Sequence, residues 1–123
     1  MVTKCYTLAL LTIAVALVAA GTSETVVRMT DGRAFEPKTV NVKVGDTVVW
    51  KNVSSMSHTV TDKAGLAITA TDAGLPVDAK EFDSGLISPG KDYSHTFTVV
   101  GTYKYFCIPH EGLGMVGTVV VSK

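Results

Sequence analysis

The chain has 123 residues, and its eleven Lys and Arg residues are balanced by eleven Asp and Glu residues. This length suits one domain with its own hydrophobic core. Nucleic-acid binding requires a clustered basic face, and a chain with balanced charge does not indicate one. We therefore expect no nucleic-acid partner.

The N-terminal segment, residues 1–20, differs from the rest of the chain. Lys4 is its only charged residue, and the apolar run from residue 5 ends in Val18, Ala19 and Ala20. A basic start, an apolar stretch and small residues at the end are typical of a secretory signal peptide, which predicts cleavage after Ala20. The alternative is an uncleaved anchor that associates the protein with a membrane, because about 17 apolar residues reach the lower limit for a spanning helix. Both interpretations place residues 21–123 outside the cytoplasm as one domain.

Short strands dominate the remaining sequence. Residues 40–44 and 93–99 alternate apolar and polar side chains, as half-buried strands do. Turn sequences at Gly45-Asp46 and Ser88-Pro89-Gly90 separate such segments. We predict strands at residues 25–29, 40–44, 47–51, 93–99, 102–106 and 118–121. Strands of this length and spacing predict an all-β fold, a single antiparallel β-sandwich.

Residues 62–80 lack a strand period, and we predict a long loop with at most a short helix or an irregular strand. The region from 62 to 83 carries more acidic than basic side chains: Asp62, Asp72, Asp78, Glu81 and Asp83 against Lys63 and Lys80. A solvated face is the favoured interpretation, since charge runs more often serve solubility than partner binding. An acidic docking patch is the alternative.

A loop near the C-terminus concentrates soft metal ligands. Cys107, His110 and Met115 follow a Cys-x2-His-x4-Met spacing between two predicted strands. Each residue alone could be structural, but a thiolate, an imidazole and a thioether together favour copper. Two His and one Cys with a weak axial Met form a blue-copper electron-transfer site. The second histidine has to be His58 or His95, the only others in the chain.

The residues around these ligands resemble the plastocyanin-like small cupredoxins. The resemblance extends over residues 101–121 and upstream through Phe35-x-Pro37 and the segments 44–50, 57–60 and 82–85. It implies a cupredoxin-like Greek-key sandwich that holds one copper ion in a type 1 site. The implied ligands are His58, Cys107, His110 and Met115. His95, which shares the phase of a predicted strand, is then interpreted as a packed side chain.

The resemblance also implies a function. Single electrons would pass between redox proteins by cycling of Cu(I) and Cu(II), with donor and acceptor docking transiently on a monomer. The expected location is the periplasm, a compartment like the thylakoid lumen, or the extracellular face of a membrane. A copper carrier or storage protein is the alternative. An enzyme is not expected, because one complete ligand set leaves no open position for a substrate, and Met115 argues against structural zinc.

Three positions depart from the plastocyanin pattern. Thr59 and Ile108 replace polar side chains that, in the family, connect the two ligand loops by a hydrogen bond. We therefore expect that connection to be absent. Phe106 stands where plant plastocyanins have a tyrosine that serves as a remote electron port, so this port is not expected.

Overall fold

The computed structural model describes residues 23–123, and in this part of the chain nine strands are joined by loops and three short 3-10 turns. The strands are β1 (Glu24–Met29), β2 (Phe35–Glu36), β3 (Thr39–Lys43), β4 (Thr47–Asn52), β5 (Thr61–Asp62), β6 (Phe82–Asp83), β7 (Asp92–Thr96), β8 (Gly101–Phe106) and β9 (Val116–Ser122). The 3-10 turns span Ala64–Leu66, Ala70–Asp72 and Ile108–Leu113. The predicted signal peptide lies outside the described residues and stays a prediction.

Two sheets form a sandwich, which confirms the predicted all-β fold. One sheet has the strand order β2-β1-β4-β7, and the other has the order β3-β9-β8-β5-β6. Most neighbouring strands are antiparallel, but the β1–β4 and β3–β9 pairs are parallel. The prediction of an antiparallel sandwich did not include these two parallel pairs. They are present because β3 belongs to the second sheet, so that β1 pairs with β4 instead.

Alternating burial along the strands forms the core. Val48 and Trp50 of β4 are buried in the same hydrophobic core as Val119 and Val121 of β9, which belongs to the other sheet. Trp50 packs edge-on against Tyr105, with 5.3 Å between ring centroids. This pattern is what the period-2 arrangement of a strand dictates when one face is covered. It gives the loops at one end of the sandwich a rigid base.

The region between β5 and β6 is the predicted long loop, with two of the 3-10 turns inside it. The expectation of a solvated acidic face is wrong for Asp62, which lies in β5 with only 1% of its surface exposed. Pairing between β5 and both β8 and β6 places this position inside the structure. Among the helical turns of residues 23–123, none is long and apolar enough to cross a membrane.

Candidate metal centre

Three of the four predicted ligands converge at one end of the sandwich. Cys107 directly follows β8, His110 lies in the 3-10 turn after it, and His58 lies between β4 and β5. The Cys107 Sγ atom is 3.7 Å from His58 Nδ1 and 3.4 Å from His110 Nδ1. The two Nδ1 atoms are 3.1 Å apart. One sulfur and two imidazole nitrogens can therefore hold a single metal ion.

The C-terminal ligand loop is closed by its own backbone. The Cys107 N–H donates to the Met115 carbonyl at 3.0 Å, and the Met115 N–H donates to the His110 carbonyl at 3.2 Å. Gly114 ends the turn with φ near +83°, a left-handed conformation that glycine adopts without strain. The Met115 side chain is fully buried. These bonds tie the Met115 backbone directly to those of Cys107 and His110.

The orientation of His58 is set by a neighbour that the sequence interpretation missed. Ser54 Oγ lies 2.8 Å from His58 Nε2. The Ser54 hydroxyl proton goes to Asn52 Oδ1 at 2.6 Å or to the Met56 carbonyl at 3.0 Å, so Ser54 accepts from His58. His58 Nε2 then carries the proton, and Nδ1 presents its lone pair to the cluster. No spacing rule would have singled out Ser54.

The surroundings of His58 and His110 favour the neutral form of both imidazoles. Burial lowers the pKa of His58, and the charge of His110 lowers it further. Burial also lowers the pKa of His110, and the charge of Arg33 adds to this effect. For the Cys107 thiol, burial raises the pKa, while the Thr59 N–H opposes the shift. A metal ion that binds here has to displace the thiol proton.

Thr59 connects the two ligand loops, contrary to the expectation from the departures at Thr59 and Ile108. Its backbone N–H donates to Cys107 Sγ at 3.3 Å. Its Oγ1 accepts the Ile108 N–H at 2.8 Å. The prediction that the two ligand loops are not connected was therefore wrong. The threonine hydroxyl bonds to the backbone N–H of residue 108, and this N–H is present whatever side chain residue 108 carries.

Glu111 fixes the ligand loop from the other side, and sequence reasoning missed it as well. This buried carboxylate accepts the Ile68 N–H at 2.9 and 3.1 Å and the Thr69 N–H at 3.1 Å. Two backbone donors compensate the cost of burying a charge. The long loop between β5 and β6 is thereby attached to the residue next to His110.

His95 and Phe106 take packing positions. The His95 ring stacks on Phe82 with 4.3 Å between centroids and meets Phe97 edge-on at 4.8 Å. His95 does not belong to the His58–Cys107–His110 group, in agreement with its interpretation as a packed side chain. Phe106 is completely buried, so it presents no aromatic ring at the surface.

Comparison with known proteins identifies the same family. A sequence model described as copper binding proteins, plastocyanin/azurin family, matches residues 21–122. The chloroplastic plastocyanin of Tetradesmus obliquus is 42% identical over 88 residues, which are 72% of this chain and 58% of that protein. The plastocyanin of Scenedesmus fuscus is 38% identical over 88 residues, covering 72% of this chain and 86% of that protein. The chain thus spans less than two thirds of the longer of these relatives.

Solved structures of cupredoxins are similar to this fold. A purple cupredoxin from Nitrosopumilus maritimus superposes with a TM-score of 0.63 at 26% identity, covering 80% of this chain and 99% of that one. A Cu(I) amicyanin mutant gives a TM-score of 0.62 at 33% identity, covering 80% and 82%. The resemblance to cupredoxins is confirmed, and copper is the metal that the soft donor set fits. The chain belongs to the plastocyanin/azurin family of copper-binding proteins, a family of blue-copper electron carriers.

Proposed function

We propose that this protein carries single electrons between redox proteins outside the cytoplasm, with copper held by His58, Cys107, His110 and Met115. The observation that carries the proposal is the convergence of two Nδ1 atoms and one Sγ atom, all within 3.7 Å of one another, from two separate loops. Copper would supply a one-electron couple at this point. Export, a monomeric state and transient docking of a donor and an acceptor belong to the same proposal.

The protein's own contribution is a donor set that does not need to rearrange. Ser54 keeps the Nδ1 lone pair of His58 directed at the cluster, and the Thr59 N–H holds the Cys107 sulfur. Glu111 restrains the loop that carries His110. Fixed ligands suit electron transfer, because a geometry that serves both oxidation states avoids a reorganisation step at each transfer. A carrier or storage protein would need an exchangeable thiolate, whereas the Cys107 side chain is completely buried.

Copper titration of the purified protein tests this function. Addition of Cu(II) should produce intense blue absorption from the thiolate, and voltammetry should show a reversible one-electron wave. A colourless complex would contradict the proposal. A blue complex that loses Cu(I) readily to a chelator would favour the carrier alternative.

The surface next to His110 is the proposed docking face. Leu113 is 68% exposed and Ile108 is 39% exposed, and both belong to the 3-10 turn that carries the half-buried His110. Phe106 is completely buried, so it adds no exposed aromatic side chain on which a partner could dock. An apolar surface beside a redox centre suits a small interface that forms and dissociates quickly.

Leu113→Asp should slow electron self-exchange by about tenfold without changing the colour or the reduction potential. The new carboxylate has to be desolvated when two apolar faces meet, and about 1.4 kcal/mol suffices for a factor of ten. Line broadening in NMR spectra of mixed Cu(I) and Cu(II) samples measures the rate.

Val77→Asp is the matched control, because it places the same charge at another exposed apolar residue. Val77 is 86% exposed, and its neighbour Pro76 lies against Gly101, at the end of β8 opposite to Cys107. The control should exchange electrons at the original rate. Equal rates for the two variants would exclude docking through the Leu113 surface.

A further inference from the structure

A chain of buried hydroxyl groups connects the ligand loops to a carboxylate that touches neither. Thr59 Oγ1, which accepts the Ile108 N–H, lies 2.9 Å from Thr61 Oγ1. Thr61 Oγ1 donates to Asp83 Oδ1 at 2.9 Å. Thr59 and Thr61 are buried, and Asp83 is half-buried.

The sheet places these groups in one row. Thr61 of β5 is paired with Asp83 of β6 on one side and with Phe106 of β8 on the other. Phe106 immediately precedes Cys107, and Thr59 immediately follows His58. The row therefore runs from the outer strand of the sheet to Thr59, which follows His58 and bonds to the residue after Cys107.

The carboxylate gives the row a direction. An ionised carboxylate only accepts hydrogen bonds, and each hydroxyl has one proton to donate. Since Thr61 donates to Asp83, it has to accept from Thr59. The Thr59 proton therefore points away from the metal centre, and Thr59 Oγ1 offers the Ile108 N–H a lone pair.

This direction matters at the Cys107 sulfur. Two hydrogen bonds hold Thr59 against the Cys107 loop: its backbone N–H donates to Cys107 Sγ at 3.3 Å, and its hydroxyl oxygen accepts the N–H of Ile108, the residue after Cys107, at 2.8 Å. If the Thr59 hydroxyl proton turned away from Thr61, the Cys107 sulfur would be an acceptor on this side. A second donor on the sulfur would withdraw electron density from it. The thiolate would then stabilise Cu(II) less, and the reduction potential would rise.

We propose that Asp83 and Thr61 are positioning residues that hold the Thr59 hydroxyl proton away from Cys107 and thereby keep the reduction potential low. Within residues 23–123, neither side chain has a hydrogen bond to a ligand. The part of this inference that concerns potential rests on the proposed copper function, whereas the hydrogen-bond direction does not.

Thr61→Val tests the inference with a side chain of similar shape that cannot continue the row. In the metal-free protein, Thr59 loses the acceptor that orients it, and hydrogen exchange of the Ile108 amide should accelerate about tenfold, as expected for one weakened hydrogen bond. In the copper-loaded protein, the reduction potential should rise and the thiolate absorption band should move to shorter wavelength. Thr61→Ser should restore the original values of all three measurements.

Thr47→Val is the matched control, since Thr47 Oγ1 makes a similar contact of 2.7 Å with Thr96 Oγ1 in the other sheet. It should change none of the three values. If Thr61→Val does not fold, Asp83→Ala is the second variant, because it interrupts the row at its outer end. Its readout is the hydrogen exchange of the Ile108 amide, which the loss of a distant charge does not affect. Unchanged exchange or an unchanged potential in folded Thr61→Val overturns the proposal. Absence of blue colour in the unmodified protein would refute the copper function instead, and the exchange experiment would still decide the direction of the row.

Discussion

Replacing Cys107 with serine should abolish the intense visible absorption of the copper-loaded protein while the sandwich stays folded. The thiolate supplies the charge-transfer absorption of a blue-copper site, and a serine oxygen cannot replace it. Serine has nearly the same shape, and its Oγ can accept the Thr59 N–H that now goes to the sulfur. Visible absorption after copper addition and far-UV circular dichroism measure the two effects.

His95→Phe is the control for removal of a potential ligand. His95 is packed between Phe82 and Phe97, so an aromatic replacement should keep both the fold and the blue colour. Loss of colour in this variant would show that the wrong second histidine was assigned. An unfolded Cys107→Ser protein would show that the thiol is needed for folding.

Asp62→Asn should stabilise the metal-free protein at neutral and alkaline pH. Asp62 is buried; Oδ1 accepts the Gly74 N–H at 3.1 Å, while Oδ2 has no hydrogen-bond partner among the described residues. Burial raises the pKa of Asp62 to about 7, and the charge of Glu81 adds to the shift. An asparagine of the same size avoids the buried charge altogether.

The sign of the pH dependence follows from the raised pKa. Between about pH 4 and pH 7, Asp62 keeps its proton in the folded protein and loses it in the unfolded chain, where its pKa is about 3.9. The free energy of unfolding therefore falls as the pH rises through this window, by about 4 kcal/mol in total. Asparagine does not ionise, so this fall should disappear in the variant.

Urea unfolding at pH 5 and pH 8 measures this difference. Asp78→Asn is a suitable control, because Asp78 is exposed and asparagine tolerates its positive φ of 70°. The control should keep the pH dependence of the unmodified protein. If Asp62→Asn kept the pH dependence of the unmodified protein, the Asp62 carboxyl would have to be ionised in the folded state at both pH values, which would contradict the prediction.

The sequence by itself determined the longer strands and the C-terminal ligand loop, whereas the two-residue strands β2, β5 and β6 were not predicted. Alternation in residues 40–44 predicted β3 to within one residue at either end, because burial of one strand face depends on local periodicity. The Cys-x2-His-x4-Met spacing likewise places Cys107, His110 and Met115 in one short loop, whatever the rest of the chain does. Spacing alone could not choose between His58 and His95; the resemblance to cupredoxins made that choice.

Only the tertiary structure decided which distant residues support this site. Ser54 orients His58 within one loop, but Glu111 reaches Ile68 and Thr69 across more than forty positions. The row from Asp83 to Thr59 and the burial of Asp62 both arise because β5 lies between β8 and β6. Hydrogen bonds of this kind depend on how strands pair across the sheet. Sequence periodicity does not determine that pairing, since it records only which face of a strand is covered.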